Sequence, residues 1–414
     1  MKISGLRAMP SCRGAVPWLL VFYLFILPFS ASIALRNAAL GLALACVVLG
    51  GGSGSPMFPP RRLLLPIACW SAWCVASLAW SIDPAYSLSE MRPGLLYPFV
   101  AFVVFHAATR GPASIDRWAW SLCAGLALLG LAAAVPNLAT GTWDPERFHG
   151  GKGSFSTHVV LAMPMLAWAW LRTSPERVAT RGALGITAIL ALAALWWTDN
   201  RIAWVALGAM TVLAAILATA LAGPSRQRRR ELGAALLACV FVALFSFTLP
   251  ARSPSPQKTP IDAARQFSAD PRFEIWSHSA ELVALSPWIG HGYGRAIVRK
   301  EIRARVEPWK NRAFYMHGHN TLLNVVLQTG FVGLALFAWM VGAVVREMAA
   351  GLRQDAGRRD AAILGLVLVA GFAIRNMTDD FLVRHNALLA WSLAGAVLGA
   401  MRPGPETTSA RTPA

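Results

Sequence analysis

The chain has 414 residues, 56% of them hydrophobic and only 14% charged, with a net charge of +18. That composition excludes a soluble domain of this length and points to a polytopic membrane protein. Its excess of Lys and Arg fits the basic cytoplasmic linkers of such proteins, so nucleic acid is not an expected partner.

Lys2, Arg7 and Arg13, an apolar run from Ala15 and then Ser30-Ala31-Ser32 have the outline of a signal peptide. The many spans that follow favour an uncleaved first helix instead. A helix needs about 20 apolar residues to cross a bilayer. About twelve runs qualify: 15–35, 38–53, 63–80, 93–108, 117–138, 158–172, 182–198, 202–222, 234–250, 320–345, 361–375 and 387–401. The expected fold is therefore all-α, with about 12 transmembrane helices and a large loop carrying amphipathic helices between spans 9 and 10. The expected divisions are 1–250 (spans 1–9), 251–319 (loop), 320–401 (spans 10–12) and 402–414 (tail).

Alternate linkers are basic: Arg61-Arg62, Arg110 with Arg117, Arg172 with Arg177 and Arg181, Arg226 with Arg228, and Arg346 with Arg353, Arg358 and Arg359. The intervening linkers are poorer in Lys and Arg. Both termini are thus expected in the cytoplasm and the long loop outside. The six cysteines fall in or beside apolar runs and offer neither a disulfide framework nor zinc-ligand spacing.

Within the loop, Asp270-Pro271 reads as an N-cap and first helical residue. Phe273, Trp276, Ala280 and Val283 recur at helical spacing, which predicts an amphipathic helix lying on the membrane or on the bundle. The run from Ser286 to Gly294, rich in glycine, ends it. A second, basic helix is expected next, with Val298, Ile302 and Val306 on one side. Its Arg295, Arg299, Lys300 and Arg303 suit anionic lipid head groups or a phosphorylated glycolipid.

The loop closes on His317-Gly318-His319-Asn320, where a new apolar helix starts. A helix N-terminus disfavours an imidazolium, so His319 is the candidate general base, with His317 beside it. Arg201, between two apolar runs, and Arg265 and Arg272 in the loop are candidates to grip phosphate. Asn320, Tyr293 and Asp379 are accessory candidates. Asp379-Asp380 lacks a second carboxylate cluster with ligand spacing, so neither a metal nor any other cofactor is expected.

Several of these segments together resemble the O-antigen ligase family of the O-antigen ligase/polymerase superfamily. Gly153-Ser154-Phe155 is similar to that family's glycine–phenylalanine motif, and Asp199-Asn200-Arg201-Ile202-Ala203 to its Ser-Arg-Gly-Ala turn with serine and glycine replaced. Arg272-Phe273-Glu274-Ile275-Trp276 and Pro287-Trp288-Ile289-Gly290-His291-Gly292 resemble its arginine–tryptophan helix and Pro-x-x-Gly-x-Gly turn. His319-Asn320-Thr321-Leu322-Leu323, with Gly330 and Gly333 after it, resembles its most specific segment.

The resemblance implies a metal-independent, inverting glycosyltransferase of the bacterial inner membrane. Its donor would be a glycan on undecaprenyl diphosphate and its acceptor the lipid A–core oligosaccharide. The reaction would take place at the periplasmic face. Arg201, Arg265 and Arg272 would hold the diphosphate and His319 would take the acceptor proton. An O-antigen polymerase or a protein O-oligosaccharyltransferase is the nearest alternative. A transporter fits less well, because the polar residues gather at span ends rather than at the midplane.

Overall fold

The computed structural model describes residues 10–50, 58–141, 149–222, 271–305 and 315–402. Among these the regular elements are all helical, in keeping with an all-α membrane protein. Before the long loop the described residues form α1 (Pro10–Ile26), α2 (Ile33–Leu49), α3 (Arg61–Ala76), α4 (Pro84–Met91), α5 (Tyr97–Ala108), α6 (Ala113–Thr140), α7 (Lys152–Arg172), α8 (Val178–Trp197) and α9 (Arg201–Ala222). The loop contributes α10 (Pro271–Leu285) and α11 (Arg299–Ala304). The chain returns through α12 (Thr321–Gly351), α13 (Ala356–Arg375) and α14 (Arg384–Ala400). Among the described residues, 8 helical stretches are long and apolar enough to cross a membrane, and α1, α13 and α14 pack among them. The expected span at 234–250 lies outside the described residues, as do Arg265, Asp270 and Val306.

In lipid, helices associate through close packing and polar contacts rather than through burial from water. The most extensive pairing, α5 against α14, shows this: a Cβ on Gly395 would lie 2.3 Å from the Phe102 carbonyl oxygen, so only glycine lets the two backbones meet there. The α7 helix is buried along most of its length, with Phe155, Val159, Leu161 and Met165 in the main core.

The first apolar run is cut earlier than its composition predicts. Pro28 has no N–H and disfavours helix at the residue before it, so α1 ends at Ile26 and α2 starts at Ile33. Ser32 Oγ stands 2.8 Å from the Ile26 carbonyl and 2.6 Å from that of Phe29, serving acceptors that the break exposes.

The second departure is inside α12. Gly330 adopts φ 67°, ψ −172°, and the helical ladder breaks there. Phe331 and Val332 donate instead to the carbonyls of Pro287 and Trp288 (2.8 and 3.2 Å). The carbonyls of Leu327 and Gln328, which those amides would have served, accept from His291 and Gly292 (both 2.9 Å). Every group freed by the break is re-paired, as a low-dielectric setting demands. The glycine-rich turn is thereby stitched into α12, and a Cβ on Gly290 would collide with the Gln328 backbone at 2.5 Å. Gln328 Oε1 also accepts from the Gly294 amide (2.8 Å), which fixes the approach of Tyr293 and Arg295.

The helix is present and begins at Pro271. Ile275, Ser279 and Leu282 are inside, while Phe273 is 45% exposed. Trp276 and Val283 pack at the edge of that cluster. Trp276 turns toward the loop because its indole has a hydrogen-bond partner there, described below. The buried side of α11 is Ile302, preceded by Val298.

The basic linkers gather at one end of the bundle. Arg402 donates to the Thr109 carbonyl (3.1 Å), Arg62 pairs with Glu347 (2.8 Å) and Arg359 reaches the Leu221 carbonyl (3.3 Å) there. The turns carrying His149, Asn200, Tyr293, His319 and Asp379 are joined at the other end.

Candidate active site

The site is built where α12 begins, between the turn that ends α13 and the loop helix α10. Asn320 is the N-cap of α12: its side chain accepts from the Leu323 amide at 3.1 Å and donates to the Met377 carbonyl at 3.0 Å. Thr321 Oγ1 lies 2.7 Å from Asn376 Oδ1 and 2.9 Å from Asp380 Oδ1. Asn324 Nδ2 donates to Asp380 Oδ2 at 2.7 Å, and its Oδ1 accepts from the Gly318 amide at 2.7 Å. From the other side, Trp276 Nε1 donates to the Gly318 carbonyl at 2.8 Å. His319 is held in the middle with φ 46°, a left-handed conformation that a bulky residue keeps only when its surroundings over-determine it.

Both imidazoles are buried, 6% exposed each, and their rings lie 4.1 Å apart. His317 Nδ1 accepts the backbone N–H of His319 at 3.1 Å, which leaves its proton on Nε2. That Nε2 is 3.7 Å from Asp379 Oδ1, whereas His319 Nδ1 is 3.2 Å from the same oxygen. Asp379 Oδ1 also takes Arg295 Nη2 at 3.1 Å and the Asp380 amide at 2.8 Å. Burial pushes the Asp379 carboxyl up, but the hydrogen bond from His319 and the Arg295 charge outweigh it and hold it well below the usual carboxylate range. Burial, with Arg295 and His319 nearby, keeps His317 well below its ordinary value and hence neutral. An ionised Asp379 3.2 Å from His319 Nδ1 favours the tautomer with the proton on Nδ1 and the lone pair on Nε2, the form that can accept a proton.

His317, His319 and Asp379 each place a ligand atom within 4.8 Å of the others, so the trio has the spacing of a cation site. Local sequence spacing could not reveal this, because the carboxylate comes from a distant turn. The Arg295 guanidinium already stands against the same carboxylate oxygen and opposes a second positive charge there.

Beside this cluster opens a cavity of about 410 Å³. Arg295, Arg299, Arg384, Glu90, Tyr293 and His317 give it a polar side, and Trp70, Phe99, Phe102, Met340 and Trp391 an apolar one. Arg299 also lies 4.5 Å above the Tyr86 ring and 3.7 Å from Asp83, while Lys300 reaches the same Asp83 at 3.9 Å. The wall opposite the histidines is a single π-helical turn, Arg92–Leu96. Such turns are rare and frequent at functional sites. Gly94 makes room there for the Tyr293 hydroxyl, 2.3 Å from where a Cβ would be.

Of the candidates read from the sequence, the structure joins His317, His319, Asn320, Asp379 and Arg295 in one network, and puts Tyr293 and Arg299 on the cavity. Arg201, the first residue of α9, is exposed, and Arg272 is in the first turn of α10; neither lines the cavity. Arg303 is on α11, away from the cavity lining.

Arg375, not singled out by sequence, is fully buried at the end of α13. It donates to Thr157 Oγ1 (3.1 Å), Asn200 Oδ1 (2.9 Å), the Gly153 carbonyl (3.1 Å) and Ser156 Oγ (3.0 Å), with its guanidinium 4.7 Å over the Phe381 ring. It ties the Gly153 and Asn200 motifs to the Asp379 turn. Its only sequence signal was an arginine at the end of an apolar run followed by polar residues.

Residues 186–338 match the family model described as O-Antigen ligase. A protein named O-antigen ligase from Pseudomonas aeruginosa is 26% identical over 299 residues, covering 69% of this chain and 63% of that protein. The chain thus spans less than two thirds of that relative's length.

Proposed function

We propose that the chain, which is similar to O-antigen ligases, joins a glycan carried on undecaprenyl diphosphate to lipid A–core oligosaccharide, at the periplasmic face of the bacterial inner membrane. The observation that carries this reading is the contact of His319 with an ionised Asp379 that Arg295 also holds, next to a cavity that is cationic on one side and apolar on the other.

In the reaction, the acceptor hydroxyl oxygen attacks the anomeric carbon while the bond from that carbon to the diphosphate oxygen breaks. The hydroxyl proton passes to His319 Nε2, and undecaprenyl diphosphate departs with the bonding pair. One displacement inverts the anomeric centre. The positive charge of Arg295, Arg299 and Arg384 stabilises the leaving diphosphate without a metal, and Arg201, Arg265 and Arg272 contribute from the loop and the α8–α9 turn. Asp379 orients the base. Lys300 and Arg303 face anionic head groups. The basic linkers at the far end support an orientation with both termini in the cytoplasm, and residues 251–319 act as the periplasmic unit.

The test is a panel of acceptors. Purified protein with carrier-linked glycan is given lipid A–core, a peptide or a second carrier-linked glycan in turn. A new product with lipid A–core alone is the expected result; product only with another acceptor assigns the chain to polymerisation or protein glycosylation.

A further inference from the structure

Arg36 lies in the first turn of α2 and is 6% exposed. Its Nε and Nη1 are buried and make no hydrogen bond, and among the described residues no carboxylate stands within ion-pair distance of it. The contrast with Arg375 is direct: that guanidinium meets four acceptors, and Arg36 meets none. The Arg384 guanidinium and the neutral Tyr23 hydroxyl lie near it, as do His149 and His385. The Tyr23 and Ser392 hydroxyls are neighbours, both buried, and neither reaches hydrogen-bond geometry with any group. Next to them His149 touches His385 (Nε2 to Nε2, 3.1 Å), and both nitrogens of the fully buried His158 are unbonded.

Among the described residues, this corner collects donors and positive charge with no carboxylate in contact with Arg36. A buried cation left in that state is unstable, and buried polar groups without partners call for an explanation. We infer that Arg36, Tyr23 and Ser392 enclose a binding site for a small inorganic anion of chloride size. The guanidinium supplies the charge and the two hydroxyls point their protons inward. The site is apart from the cavity described above, because Arg36 does not line it, and the inference does not depend on the transferase reading. Arg384, the residue before His385, does line the cavity. An anion at Arg36 therefore offsets the repulsion between two guanidiniums and steadies one cavity wall.

The experiment compares thermal unfolding of the purified chain in sodium chloride and in sodium gluconate at equal ionic strength. The wild type should gain a saturable rise in midpoint with chloride, and Arg36→Leu should lose it. A wild type indifferent to chloride, meaning that water alone serves Arg36, overturns the site; so does an Arg36→Leu protein that keeps the full response. If Arg36→Leu does not fold, Tyr23→Phe decides, since it keeps the cation. It should weaken the apparent chloride affinity about tenfold, the equivalent of ~1.4 kcal/mol for one lost hydrogen bond to a charged group. Unchanged affinity in Tyr23→Phe overturns the assignment.

Discussion

Gly330 packs against Trp288 so closely that a methyl group on its α-carbon would sit 2.1 Å from the Trp288 carbonyl carbon. The contact exists because α12 is broken there and the glycine-rich turn has taken over two of its hydrogen bonds. Gly330→Ala meets both the steric barrier and the left-handed φ of 67°. It should destabilise the protein by about 2–5 kcal/mol and loosen the turn that carries Arg295. Chemical denaturation in detergent checks this; a wild-type midpoint would show that the turn relaxes without cost.

Arg375 should matter to stability as much as any core residue. Arg375→Leu removes the guanidinium donor to Ser156, Thr157 and Asn200 and one of three donors to the Gly153 carbonyl, at a cost of about 2–5 kcal/mol. Arg375→Lys keeps the charge but cannot span all four partners and should fall between. Equal unfolding midpoints for all three proteins would contradict the network.

Acid should weaken the fold through His149. Burial pushes its imidazole down from 6.5 to about 4, against the hydrogen bonds to Pro28 and Ser154 that raise it. Between those values the unfolded chain binds a proton that the folded chain refuses. Stability is therefore lost as pH falls through that window, by on the order of 3 kcal/mol below both values. The unfolding midpoint measured from pH 7 to 4 should fall, and His149→Gln should flatten the curve; parallel curves would rule out His149 as the source.

Asp379→Asn tests the orientation of the base. An amide can present either its oxygen or its NH2 to His319 Nδ1, so the tautomer is no longer fixed. Turnover should drop about 10²–10⁴-fold, chiefly in kcat. Wild-type kcat in this variant would remove Asp379 from the mechanism.

Much of the fold was legible because apolar runs near bilayer length leave few alternatives to a helix. The site was legible where chemistry is local: His317, His319 and Asn320 are adjacent in sequence, and the helix N-terminus explains their behaviour. What escaped were residues whose roles arise from distant contacts. Arg375 and Arg36 stand at the ends of apolar runs and Glu90 between two of them, where nothing local shows what they meet. Trp276 is positioned by its indole N–H, whose partner is the distant Gly318 carbonyl. The breaks at Pro28 and Gly330 are written in single residues, and their consequences depend on which carbonyls lie nearby.

The most direct test of the account is glycan transfer by His319→Ala. Protein reconstituted in lipid, with carrier-linked glycan and lipid A–core, should give product at the wild-type rate only with the imidazole in place. The account predicts that His319→Ala folds, still binds the carrier and forms no product above background. Transfer by His319→Ala at a rate comparable to wild type would contradict it.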